Sequence, residues 1–295
     1  YVDLKRFDTA KEARDFKISD AGYAELVAAL DAYKDIPAER KASNAPRIGI
    51  DHRSGADVTP EAFAEAFGFR GVQFGNYVEG ERRQSDLNEA YDALMDLAGV
   101  VGVPARALSL NGELGLAFGA RGKGGKGAAA AHFEPDTIVI NLTKNKGAGS
   151  LAHEWWHSLD NYFSRMRGPG GYMTEGKITA TEGVRPEMVQ AFKDVMAALR
   201  STSLKERSKN LDKRRTKEYW ATDIEMSARA FESYVIAKLQ DEQFSNDYLA
   251  NIVSEQAFGI EDGYPYLRAA EIPIVRAAFD NFFATAETRD TERGL

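Results

Sequence analysis

Residues 153–157 read His-Glu-Trp-Trp-His, an H-E-x-x-H pentad in a stretch of helical character. No other feature constrains the chain so tightly. On a helix, positions i and i+4 share a face, so both imidazoles reach one metal ion, with the glutamate beside the first histidine aimed at the ion's open position. In that arrangement zinc generates a nucleophile near neutral pH and a carboxylate takes the proton. The pentad therefore demands an ordered helix packed against an element that brings a third ligand. The chain has no cysteine. Disulfides, zinc ribbons and thiolate ligands are excluded, and a donor set of His, Asp and Glu favours an open catalytic zinc over a closed structural one.

The chain has four histidines, and the remaining two, His52 and His132, lie upstream. Neither completes the longer H-E-x-x-H-x-x-G-x-x-H pattern, because Asp160 stands where that pattern needs glycine. A carboxylate from a later helix is the natural third ligand. Glu225 leads, since Ser227, Ala228 and Ala230 would let its helix pack closely on the motif helix. A purely structural role competes: Thr222-x-x-Glu225 is also a capping box, in which Glu225 folds back on Thr222. Asp160, Glu182, Glu218 and Glu232 are rival ligands, and Asp160 has the alternative of orienting an imidazole.

The rest of the chain suggests an α+β domain with a small mixed or antiparallel sheet, an edge strand beside the motif helix and a mostly helical C-terminal half. Residues 1–44 read as a helical N-terminal segment, opened by the capping box Thr9-Ala10-Lys11-Glu12. Lys41 to Ala56 reads as a linker, and residues 45–295 as the main domain. Pro60 opens a short helix with Phe63 and Phe67 toward the core, and Leu87 to Ala98 form a helix ending near Gly99. Leu108 and Leu110, then Asn111-Gly112, then Leu114, Leu116 and Phe118 give a hairpin signature. Thr137–Leu142 is expected as the edge strand. The motif helix runs from a Ser150 cap to about Arg165 and stops at Gly168-Pro169-Gly170-Gly171. Residues 172–217 read as an insertion, with one amphipathic helix and a basic run, Lys205–Lys217, on a solvated face. Helices follow from Thr222 to about Leu239 and from Pro273 through Phe283. The loop Gly119–Gly127 fails the P-loop pattern, since Ala120 occupies the first glycine position and Gly127 follows Lys126.

The segment His153 to Tyr162 resembles the active-site helix of anthrax-lethal-factor-type gluzincins, where an Asp and a Tyr also follow the second histidine. Glu225 to Phe231 is similar to that group's E-F-F-A-E-A-F segment, whose first Glu binds zinc. The resemblance implies metal ligands His153, His157 and Glu225, with Glu154 catalytic. It also implies an assisting tyrosine, which Tyr219 matches one residue out of register. Phe67–Val72, Phe118–Gly122 and Ile140–Lys144, with the motif helix, resemble a zincin-like domain of large polyvalent proteins, the long multidomain proteins of phages and conjugative elements. A first residue of Tyr rather than Met fits a piece of a longer polypeptide.

The expected function is that of a zinc-dependent endopeptidase acting on a protein or peptide, with Zn2+ as cofactor. A catalytically inactive zincin-like module that binds a protein partner is the alternative. A net charge of −7 argues against a general nucleic-acid or membrane-surface binder. With no signal peptide or membrane-spanning run in the sequence, a cytoplasmic location is expected, with delivery by a phage or conjugative element. The oligomeric state stays open.

Overall fold

The computed structural model describes residues 5–34, 36–75, 80–121, 131–143, 149–168, 170–176, 182–215 and 217–295. Most of the glycine-rich loop, from Gly122 to Gly127, lies outside them, as do 177–181 and 216 of the expected insertion. The chain is α+β, with a small mixed sheet and a predominantly helical remainder.

Two N-terminal helices, α1 (Ala10–Ile18) and α2 (Asp20–Lys34), pack on each other. The expected capping box forms: Thr9 Oγ1 accepts from the Glu12 N–H at 3.2 Å, and the Glu12 carboxylate accepts from the Thr9 N–H at 3.3 Å. Next, α3 (Pro60–Phe67) starts at Thr59, whose hydroxyl accepts from the Ala62 N–H, and buries Phe63 and Phe67. Strand β1 (Val72–Phe74) leads into the long α4 (Gly80–Val101). That helix passes through Gly99 and ends at Gly102, whose φ of 73° takes the left-handed conformation a helix end favours.

Strands β2 (Gly115–Phe118), β3 (Ala131–Glu134) and β4 (Val139–Leu142) complete a four-stranded sheet in the order β1-β2-β4-β3. β1, β2 and β4 run parallel, in register Val72↔Leu116 and Leu116↔Ile140, and β3 pairs antiparallel to β4 with His132↔Asn141. β2 and β4 are buried along their whole length, as strands covered on both faces are.

Two strand expectations are corrected here. The hairpin across Asn111-Gly112 does not form. Those residues do take positive φ (62° and 68°), as a hairpin turn needs. The upstream arm, however, coils into a 3-10 turn over Ala105–Ser109, so only the downstream arm is a strand, and it pairs in parallel with β1 and β4. Nor is Thr137–Leu142 an edge: β4 is flanked on both sides, and the outer strand on that side is β3. Its unbroken Ile-Val-Ile run suits a central strand better than a margin.

The motif helix α5 (Leu151–Arg167) packs on β3 and β4 with one side. Its other side meets a helical layer built from α6 (Pro186–Arg200), α7 (Leu204–Asp212), α8 (Asp223–Asp241), the single turn α9 (Glu255–Phe258) and α10 (Ile272–Thr285). Trp156, fully buried, is the hub. Its indole lies 5.1 Å from the rings of Phe231 and Phe279, 5.3 Å from Phe282 and 6.0 Å from Phe192. Helices α5, α6, α8 and α10 are thereby locked around one aromatic cluster, and the amphipathic helix of the expected insertion, α6, is part of that core. No helix among the described residues is long and apolar enough to cross a membrane.

The expected linker is also corrected. Residues 41–56 lack regular helix or strand, yet side chains pin them to α4. Arg47 forks onto Asp96 at 2.6 and 2.7 Å, His52 Nε2 lies 2.9 Å from Asp96, and Arg53 reaches Asp92 at 3.0 Å.

Candidate metal centre

Helical spacing does for the pentad what the sequence suggests: His153 and His157 present Nε2 atoms 3.0 Å apart with their rings nearly perpendicular. Helix α8 lies across this face. Its approach depends on Ser227, small enough to sit under Trp156, whose Nε1–H donates to Ser227 Oγ at 3.0 Å. Two residues before Ser227, Glu225 brings Oε2 to 3.4 Å from His153 Nε2 and Oε1 to 3.6 Å from His157 Nε2. Among the described residues these three form the one group of His, Asp and Glu able to hold a metal ion.

The donor set fits zinc. With bonds of about 2.0–2.1 Å in a tetrahedral arrangement, two ligand atoms stand about 3.3 Å apart. The observed edges of 3.0, 3.4 and 3.6 Å bracket that separation. Glu225 keeps 17% of its side chain exposed whereas each histidine keeps 8%, so the triad opens to solvent on the carboxylate side. The capping reading of Glu225 is half realised: Thr222 Oγ1 accepts from the Glu225 N–H at 3.4 Å, while the Glu225 carboxylate turns to the histidines. Burial opposes the charge on Glu225, but His153 and His157 outweigh it and hold the carboxyl well below its usual range. Burial likewise opposes protonation of His153, and Glu225 and Glu232 override it, lifting the imidazole to about 10.

Glu154 is buried beside the histidines, and among the described residues no hydrogen bond holds its carboxylate. Tyr219, half-buried just before α8, has its phenol pushed well up by burial and by the negative Glu225, with Glu154 adding to the effect. The rival ligands fall elsewhere. Glu182 and Glu218 are exposed. His52 sits on Asp96, and His132 lies 3.1 Å from Glu134. Asp160 does not meet an imidazole directly. It accepts from the Thr174 N–H at 3.1 Å and the Thr174 hydroxyl, and burial raises its carboxyl to about 6.

The orienting role goes to Glu232, two turns along α8 from Glu225. Its Oε2 lies 3.1 Å from His153 Nδ1, the atom that must be fixed if Nε2 is to face a metal. Three further residues escape sequence reasoning. Arg229 is fully buried and donates to Glu225 Oε2 at 3.1 Å and to the Trp220 carbonyl at 2.6 Å. Arg40 caps the far side of Glu232. Tyr172 stacks edge-on against His157 with ring centroids 6.0 Å apart, and burial pushes its phenol up. The one available signal for Tyr172 was the glycine-rich stop after α5. There the chain doubles back, held by Asn161 Nδ2 to Gly171 O at 3.0 Å and Ser164 Oγ to Gly170 O at 2.9 Å.

Fold and site together define an α+β domain with a His-His-Glu triad, open to solvent on its carboxylate side, beside the buried Glu154. Residues 1–66 match the family model described as large polyvalent protein-associated domain 5, and residues 211–290 match large polyvalent protein-associated domain 1. The second match includes Glu225 and Glu232, and the motif helix lies between the two matched segments. These matches support a large-polyvalent-protein context, that of phages and other mobile elements. No curated protein and no solved structure matches the chain.

Proposed function

We propose that this chain is a zincin-like, zinc-dependent endopeptidase. The observation that carries the reading is the triangle of His153 Nε2, His157 Nε2 and the Glu225 carboxylate, with edges of 3.0, 3.4 and 3.6 Å and Glu154 buried alongside. His153, His157 and Glu225 would hold the ion. When bound, zinc supplies a Lewis acid and brings the pKa of water toward neutrality. Glu154 then takes a proton from the attacking water at its carboxylate and hands it to the leaving amine. Tyr219 is the proposed hydrogen-bond donor to the developing oxyanion. Strand β3 replaces Thr137–Leu142 as the strand beside which an extended peptide would lie, since among the described residues it pairs with β4 alone.

The test is zinc content followed by a peptide-library digest of wild type and Glu154→Gln. The wild type is expected to hold zinc and cleave. Glu154→Gln is expected to keep the ion and lose about 10²–10⁴-fold in kcat. A variant that cleaves at the wild-type rate removes Glu154 from the mechanism. A wild type that takes up no zinc leaves the protein-binding module as the reading.

A further inference from the structure

Residues 39–48 form no helix or strand, but they are fastened along their length to residues 245–253. The Val253 N–H donates to Glu39 O at 3.1 Å, and the Lys41 N–H donates to Asn251 Oδ1 at 2.8 Å. The Ala45 N–H donates to Asp247 Oδ2 at 2.9 Å, and Ile48 and Ser245 exchange backbone bonds at 2.9 and 2.8 Å. From this strap Arg47 reaches the buried Asp96 on α4, and Arg40 turns toward the start of α5. Arg40 Nη1 donates to Gly149 O at 2.6 Å, at the entry to α5, and to Glu232 Oε1. The second oxygen of Glu232 is the one held against His153 Nδ1 at 3.1 Å. Glu232 is fully buried behind Arg40, whose side chain is 16% exposed, so in the intact structure the guanidinium stands between this carboxylate and solvent. Without Arg40 this carboxylate would lose its fixed cation and one of its two anchors, at a cost typical of a broken buried pair.

We infer that Arg40 is a positioning residue for the metal site: it fixes Glu232, Glu232 fixes the His153 ring, and docking of the 39–48 strap is thereby coupled to metal affinity. The inference rests on the reading of His153, His157 and Glu225 as ligands. Coupling between two sites is reciprocal, so the bound ion must also tighten the strap.

The experiment measures zinc affinity of the full chain by competition with a chromophoric chelator. Arg40→Gln is expected to weaken zinc about 10–100-fold, the usual effect of removing a group that orients a ligand. Arg40→Lys should recover most of that, because both Arg40 bonds leave a single nitrogen. Because Arg40 acts through Glu232, the double variant Arg40→Gln/Glu232→Gln should bind no more weakly than Glu232→Gln alone. Arg165→Gln, which breaks the pair with Glu113 near the other end of α5, should leave zinc affinity unchanged. In wild type, zinc should slow hydrogen exchange at the Lys41, Ala45 and Ile48 amides, and Arg40→Gln should abolish that response. Equal zinc affinity in wild type and Arg40→Gln overturns the inference and leaves the metal reading standing. If Arg40→Gln does not fold, the exchange measurement on wild type decides, and amides indifferent to zinc overturn it. A wild type that binds no zinc overturns both.

Discussion

Two turns of α5 hide four ionisable groups, and their surroundings differ: His153 and His157 both face Glu225, Asp160 accepts from Thr174, and among the described residues no hydrogen bond holds the Glu154 carboxylate. Asp160 gives the clearest consequence. Its folded carboxyl titrates near 6 against an ordinary 3.8. A group that holds its proton more tightly when folded loses stability as pH rises through that window, from about 4 to about 6, and the loss persists above it. Asp160→Asn keeps a carbonyl for the Thr174 N–H and removes the buried charge. The metal-free variant is expected to be more stable than wild type by about 1–3 kcal/mol near pH 8, with the gain gone near pH 4. Denaturant titrations of chelated protein at the two pH values check this, and an equal gain at both would falsify it. At this scale the sequence is legible where the chemistry is local. His153, Glu154 and His157 follow from spacing alone, whereas Glu225 is one of several distant carboxylates until the resemblance to the gluzincin segment favours it. The roles of Glu232, Arg40 and Tyr172 are not legible, because they exist only once separate segments meet; Asp160, in sequence a rival ligand with orienting as its alternative, is turned by the helix toward Thr174.

Helices α5, α8 and α10 are visible in the sequence because their apolar residues repeat at helical spacing between caps and breakers. The sheet is less so. Asn111-Gly112 has hairpin chemistry, but whether a turn joins two strands depends on the preceding residues, which here coil. A four-residue apolar strand gives no sign of which neighbour it takes. Glu225 stands at the α5–α8 interface, where Ser227 packs beneath Trp156 with a hydroxyl that accepts from the indole and donates to Ile224 O at 2.8 Å. Ser227→Ala leaves the buried indole N–H without its partner and is expected to cost about 1–3 kcal/mol while zinc affinity holds. Ser227→Leu overfills the contact, costs about 1–3 kcal/mol and also weakens zinc, because the helices must part. Parallel chemical denaturation and zinc titration separate the two effects. Unchanged zinc affinity in Ser227→Leu would show that Glu225 is not placed by this interface.

Across the whole molecule, the site is assembled from Arg40 in the strap, α5, the return segment at Tyr172–Thr174, and the Tyr219–Glu232 stretch. A linker reading of residues 41–56 was reasonable from composition, since their anchors are carboxylates on α4 and in the 245–253 segment that no local pattern announces. An ion bound where so many remote segments converge must act on global stability. A ligand of the folded state alone adds about 2.7 kcal/mol at a hundredfold excess over its Kd. For a chain of this size each kcal/mol moves the midpoint by about 2–4 °C, so chelation should lower Tm by about 5–10 °C. Restoring zinc should restore Tm, and His157→Ala should melt at one temperature with or without chelator. Differential scanning calorimetry across a zinc series makes the measurement. If wild type and His157→Ala respond to chelator alike, any ion being removed lies somewhere other than this triad.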